Sequence, residues 1–225
     1  MPLDAICLSA LCKELEGALT GAKIDKIQQP ERDILLFSFR NQGKNSRLLT
    51  AAGTGNARVH LTQTSFENPS EPPMFCMLLR KHLIGAHIVS VSQPDLERML
   101  VIELDSRNEL DIHSNKKLIV EMIGRSSNII LVDSDGRIID CLRRMDYAGD
   151  SERRLLPGMI YRLPPKQNKT AVLDASRECV CEIVSAADCS VPLDKWFLNS
   201  FSGLSPLICR ELAENCSGDY SKAAD

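Results

Sequence analysis

The side chains that could do chemistry in this chain are few, and each is a polar residue set into an apolar stretch. Asp4 opens a helical pattern, Glu97 and Arg98 follow Gln93-Pro94 where a strand-like run begins, and Gly124-Arg125-Ser126-Ser127-Asn128 lies between two further runs. A flexible glycine, an arginine and three hydrogen-bonding side chains suit phosphate or sugar contacts, and the same composition also makes a polar hairpin turn. Neighbours on a strand point to opposite faces, so at most one of Glu97 and Arg98 faces a core unless a bulge intervenes. The chain has no GxSxG, no Walker loop and no GxGxxG, and His60, His82, His87 and His113 lack metal-ligand spacing. Cys179 and Cys181 are two apart, with no CxxC pair and no histidine at finger spacing, so no metal and no cofactor is expected.

The elements that must position these residues follow from periodicity. Leu8, Leu11, Leu15, Ala18 and Leu19 recur at helical spacing, with Asp4 as N-cap or first-turn acid and Gly21 as the stop. Strand-like runs follow at 22–28, 34–40, 47–52 and 58–63, with turn chemistry at Gln42-Gly43-Lys44-Asn45 and Gly53-Thr54-Gly55-Asn56. This is an antiparallel meander. The stretch 67–82 starts as an extended connector fixed by Pro69, Pro72 and Pro73. It then becomes a helix with an apolar stripe of Met74, Met77, Leu78 and Leu79 and with Arg80, Lys81 and His82 near its end, stopped by Gly85.

Strands resume at 87–92, 98–105, 117–123 and 128–133, and Asp133-Ser134-Asp135-Gly136 between apolar runs is a hairpin signal. A helix followed by strands, twice, predicts two strand groups packed as an antiparallel β-sandwich. From Asp146 to Thr170 the chain turns polar, and Pro157-Gly158 and Pro164-Pro165 mark a segment that wraps or links. Helices are expected at 172–187 and 192–201, then a helical hairpin that bends at Gly203. Ser205 is its N-cap, Pro206 its first-turn residue, and Leu207, Ile208 and Leu212 its buried face. The fold class is α+β, with one domain over 1–170 and a small all-α domain over 171–225.

Composition bounds what this scaffold can do. The chain has 225 residues, 44% hydrophobic and 25% charged, which is ordinary globular material able to bury a core. Only 4% are aromatic, which disfavours a stacking platform for single-stranded bases. The net charge of −3 is uneven: residues 171–225 hold four basic and nine acidic residues, net −5, leaving +2 for 1–170. A polyanion should therefore prefer the first part, through local patches such as Arg80-Lys81-His82, Lys116-Lys117, Arg143-Arg144 and Arg153-Arg154. The hairpin bend lacks a basic residue, so it reads as a packing or positioning module and not as a phosphate site. Nine cysteines, an odd number, with Cys7, Cys76 and Cys141 on apolar faces, read as free buried thiols in a reducing cytoplasm. The N-terminus has no basic n-region and is interrupted by Lys13, Glu14 and Glu16, so neither a signal peptide nor a membrane span is expected.

The block ENPSEPPMFCMLLRKHLIGAHI, with GKNSRLL, ARVHLT, VEMIGRSSNIILVD, LPGMIYRLPP and FSGLSPLICRELA, resembles the NFACT-N family, long labelled fibronectin-binding protein A, which includes the bacterial RqcH-type ribosome quality-control factors. The likeness runs across nearly all of the chain. Full-length members continue into a coiled coil and a further nucleic-acid-binding domain, so the resemblance implies an N-terminal fragment. It implies a fold similar to the N-terminal domain of formamidopyrimidine-DNA glycosylases, followed by a helix-hairpin-helix domain. It also implies binding to a stalled large ribosomal subunit with peptidyl-tRNA, and recruitment of alanyl-tRNA for mRNA-independent alanine tailing. The ribosome would supply the peptidyl-transfer chemistry, so neither an enzyme centre nor a small-molecule substrate is implied.

By the same resemblance, tRNA engagement belongs to an N-terminal acid, matched by Asp4, and to an Asp-Arg pair, matched by Glu97 and Arg98 with a longer acid in first place. Arg98 would pair with RNA, while Glu97 or Asp4 orients it or accepts from a base amine. Candidate RNA-backbone contacts are Arg80, Lys81, His82, Arg125, Ser127 and Asn128. Two alternatives belong to other classes. A glycosylase or AP-lyase would use the secondary amine of Pro2 once Met1 is removed, but Leu3 stands where those enzymes place a catalytic Glu. A fibronectin-binding adhesin follows only from the older family label.

Overall fold

The computed structural model describes residues 3–107, 113–146, 153–165, 169–173 and 175–217. Helix α1 (Ala5–Leu19) starts behind Asp4 and ends at Gly21, whose φ of 78° suits the left-handed exit from a helix. Four strands follow, β1 (Lys23–Glu31), β2 (Ile34–Asn41), β3 (Lys44–Ala51) and β4 (Arg58–Leu61), paired as the expected meander. The β2–β3 turn is tighter than expected: only Gln42 and Gly43 turn, at φ 47° and 81°, while Lys44 and Asn45 already pair with Asn41 and Arg40. Two positive φ angles match the twist of the hairpin, which lets the strands continue to the very tip.

Helix α2 (Met74–Leu83) comes next, then β5 (His87–Ser92), β6 (Met99–Arg107), β7 (His113–Glu121), β8 (Asn128–Val132) and β9 (Ile138–Cys141). The two strand groups are not separate sheets. They form one nine-stranded sheet in the order β4-β3-β2-β1-β5-β6-β7-β8-β9. The seam is the pair Lys23–His87, stitched by backbone bonds between Gly21 and Ile88, Ala22 and Ile88, and Ile24 and Gly85 or Ala86. Backbone groups at the edge of each group satisfy one another there, so no bare edge is left between the groups.

One apolar cluster gathers both groups: Leu8, Leu15 and Leu19 of α1, Phe37 and Leu48, and Leu100, Leu118 and Leu131. Phe75, Cys76, Leu79 and Leu83 of α2 complete it. The α2 stripe therefore differs from expectation. Met74 and Met77 are 86% and 49% exposed, because the face that meets the sheet is the Phe75, Leu79, Leu83 row spaced four apart. The opposite sheet face is covered as well. Phe66, in the connector before α2, packs on Ile34, Leu36, Leu49 and Ala51. Leu155 and Tyr161 pack on Met99, Ile119, Ile130 and Ile138, so the described part of the polar segment does wrap the sheet.

The chain divides into two compact units. The first holds most residues to Pro164, and the second holds Pro165 onward together with Asp4–Cys7 and Asp95–Glu97. Within the second are α3 (Arg177–Ser185), α4 (Leu193–Ser200) and α5 (Pro206–Ser217). This unit is not all-α, because Thr170–Ala171 (β10) and Phe201–Ser202 (β11) form a small parallel ladder. That ladder takes Val172 out of the first expected helix, which begins at Arg177 behind an N-cap from Ser176 to the Cys179 amide. Trp196 and Phe201 are the buried centre, their rings edge to face at 5.8 Å. On α5 the inward residues are Cys209 and Ala213, whereas Leu207, expected inside, is 46% exposed.

Candidate RNA interface

Asp4 is held at the start of two helices. Its Oδ1 accepts the Cys7 amide at 2.8 Å, capping α1, and its Oδ2 accepts the Ser205 hydroxyl at 3.2 Å. Ser205 Oγ in turn accepts the Ile208 amide at 3.3 Å, so Ser205 is the N-cap of α5 as its position before Pro206 predicts. The carboxylate supplies negative charge beside a helix N-terminus, where the macrodipole favours an anion. It also pushes the Cys7 thiol up, by hydrogen bonding first and charge second, so that exposed thiol stays protonated. Cys7 was expected inside; it sits instead on the outer face of α1.

Glu97 and Arg98 are not on a strand. Strand β6 begins at Met99, and the preceding residues form a tight turn over Pro94–Leu96. Asp95 and Leu96 both have left-handed backbone, at φ 46° and 52°. For residues with a side chain this costs about 1 kcal/mol or more each. Strand alternation therefore does not govern these two side chains, and both Glu97 and Arg98 are half-buried. The Arg98 carbonyl accepts the Met122 amide at 2.8 Å, which fixes its backbone to the sheet. Asp95–Glu97 belong to the same compact unit as Asp4, Gly203 and Ser205. The sequence marks Gly203 as a bend and Gln93-Pro94 as the approach to the strand, but nothing in it marks Asp95 and Leu96 as a left-handed turn.

The other expected contacts divide sharply. Arg125 is exposed, but Ser127 and Asn128 are fully buried. Ser127 Oγ donates to the Gly124 carbonyl at 2.8 Å. Asn128 donates to the Arg143 carbonyl at 2.8 Å and accepts the amides of Ile129 at 2.9 Å and Arg143 at 3.0 Å. Both side chains are thus spent on the fold, which corrects their assignment to an RNA backbone. On α2, Lys81 is exposed and His82 half-buried, while Arg80 Nε donates to the Ile27 carbonyl at 2.8 Å.

Most of the other basic clusters are neutralised internally. Lys116 is buried, donates to Ser106 and Ser114, and has its pKa lowered by that burial. Lys117 pairs with Glu103 at 2.8 Å, and Arg144 makes a two-pronged pair with Asp140 at 3.2 Å. Arg143 lies 2.8 Å from Asp33 without hydrogen-bond alignment, so that pairing is coulombic. Arg153 meets the buried Glu121 through both terminal nitrogens and lies over the Tyr161 ring. Burial opposes the Arg153 charge, but Glu121 more than compensates, and burial followed by the Glu121 charge pushes the Tyr161 hydroxyl up. Among the described residues no group of three or more His, Cys, Asp or Glu is placed to hold a metal ion. No described helix is long and apolar enough to cross a membrane. Pro2, on which the glycosylase alternative depends, lies outside the described residues.

Residues 4–225 match the family described as NFACT N-terminal and middle domains, and the chain belongs to that family. It is 42% identical over 212 residues to the Rqc2 homolog RqcH of Bacillus subtilis, covering 94% of this chain and 37% of that protein. It is 35% identical over 223 residues to the protein of the same name from Streptococcus suis, covering 99% of this chain and 40% of that one. The chain thus spans about two fifths of the length of these curated relatives. Among solved structures, the N-terminal domain of the fibronectin-binding protein PavA from Streptococcus pneumoniae superposes with a TM-score of 0.87 at 33% identity, covering 96% of this chain and 84% of that one.

Proposed function

We propose that this chain is the tRNA-engaging head of a ribosome quality-control factor. In this reading the protein binds a stalled large ribosomal subunit with peptidyl-tRNA. It recruits tRNA, of alanine type, for mRNA-independent alanine tailing, and it works in the cytoplasm as a binding factor while the ribosome does the chemistry. Asp4, Glu97 and Arg98 carry the tRNA contact, and Arg125, Lys81 and His82 add charge toward RNA backbone. The corresponding domain reading is a glycosylase-like NFACT-N domain over 1–170 and a helix-hairpin-helix domain over 171–225.

The observation that carries this reading is kinship to proteins named RqcH, joined to the local arrangement in which one hairpin bend meets both Asp4 and the turn leading to Glu97. An arginine beside an acid supports it chemically, since the pair can engage a phosphate and a base amine together. The test is pulldown of the full-length protein followed by tRNA sequencing, comparing the parent with Glu97→Ala/Arg98→Ala. Enrichment of alanine tRNA by the parent and its loss in the variant is expected. No enrichment, or enrichment that survives the double change, overturns the site.

A further inference from the structure

The turn that delivers Glu97 and Arg98 is held from the α4–α5 bend. Asp95 and Leu96 are consecutive residues with side chains in left-handed backbone, an arrangement that persists only where surrounding structure enforces it. A Cβ placed on Gly203 would lie 3.2 Å from Leu96 Cδ1, 3.4 Å from Leu96 Cβ and 3.8 Å from Val172 Cγ1. The Leu96 side chain is therefore seated on bare backbone. Gly203 has φ 89°, so a side chain there is strained by its backbone and would press on Leu96. Two positions later Ser205 holds Asp4. One bend thus meets both parts of the site, and Asp4, Leu96, Glu97, Gly203 and Ser205 all lie in the same compact unit.

We propose that Leu96 and Gly203 are positioning residues for tRNA engagement: Leu96 seated on Gly203 carries the chain through the left-handed turn and so sets the direction in which Glu97 and Arg98 emerge. This rests on the reading of Glu97 and Arg98 as the tRNA-contacting pair. Without the seat, the turn is no longer confined to this one left-handed course, and the Glu97 and Arg98 side chains leave it along a spread of directions.

The experiment is equilibrium binding of deacylated alanine tRNA, and separately of purified large ribosomal subunits, to the full-length protein, with thermal melting alongside. Leu96→Gly removes the seat while relieving the backbone, so its Tm should match the parent. Its tRNA affinity should fall about tenfold with subunit affinity unchanged. Gly203→Ala should lower tRNA affinity in the same direction. Leu96→Met, which keeps a flexible apolar chain against Gly203, should stay within about twofold of the parent. If Leu96→Gly binds tRNA like the parent while Glu97→Ala/Arg98→Ala does not, the positioning role is overturned and the site stands. If the double change has no effect, the site reading fails and the positioning role fails with it. A joint loss of tRNA binding, subunit binding and Tm in Leu96→Gly also overturns the proposal, because Leu96 would then be a general structural residue.

Discussion

Two polar loops of this chain look alike in sequence and do opposite things in the fold. The loop at 124–128 has an arginine and three hydrogen-bonding side chains, yet Ser127 and Asn128 are buried and bonded to backbone of the loop itself and of Arg143. The loop at 93–98 has as many polar side chains, Gln93, Asp95, Glu97 and Arg98, but it takes up a costly left-handed turn and leaves Glu97 and Arg98 half-exposed. The first loop uses polar chemistry to complete a hairpin. The second carries two residues with side chains in left-handed backbone just ahead of an acid and an arginine, a costly conformation that local propensity does not explain.

Substitutions in the two loops should separate stability from tRNA binding. The largest effect is expected from Asn128→Ala, which leaves the buried Ile129 amide and the half-buried Arg143 carbonyl and amide without their partner. Its cost should be about 3 kcal/mol of unfolding free energy, read by denaturant titration, with tRNA affinity per folded molecule unchanged. Glu97→Ala/Arg98→Ala should do the reverse, weakening tRNA binding by about 2 kcal/mol while the unfolding free energy stays within about 0.5 kcal/mol. Ser205→Ala removes the α5 cap and the Asp4 contact together and should cost about 1 kcal/mol of stability. The smallest effect belongs to Arg125→Ala, the exposed member of the first loop. It should leave stability alone and reduce the salt slope of RNA binding by about 1.

What the sequence made legible was local. The α1 helix with its Gly21 stop, the β2–β3 turn and the Ser205-Pro206 start of α5 are all set by residues within a few positions of one another. The misread features depend on partners far along the chain. Arg153 looked like free charge until the fold brought Glu121 to it, and Lys116 looked exposed until Ser106 and Ser114 surrounded it. The α2 face was misread because Met74 and Phe75 are equally apolar, and only the sheet beneath decides which one turns inward. At the candidate site, Asp4 and Arg98 were legible by type and by family likeness. The left-handed turn was not, because neither Asp95 nor Leu96 is a glycine that would announce it.

The most direct test of the contrast is a single titration series of alanine tRNA against full-length parent, Glu97→Ala/Arg98→Ala and Asn128→Ala, corrected for the folded fraction at each point. The double variant should lose tRNA affinity at parental stability, and Asn128→Ala should keep affinity at reduced stability. Equal tRNA affinity in the parent and the double variant, or a loss confined to Asn128→Ala, would contradict the contrast.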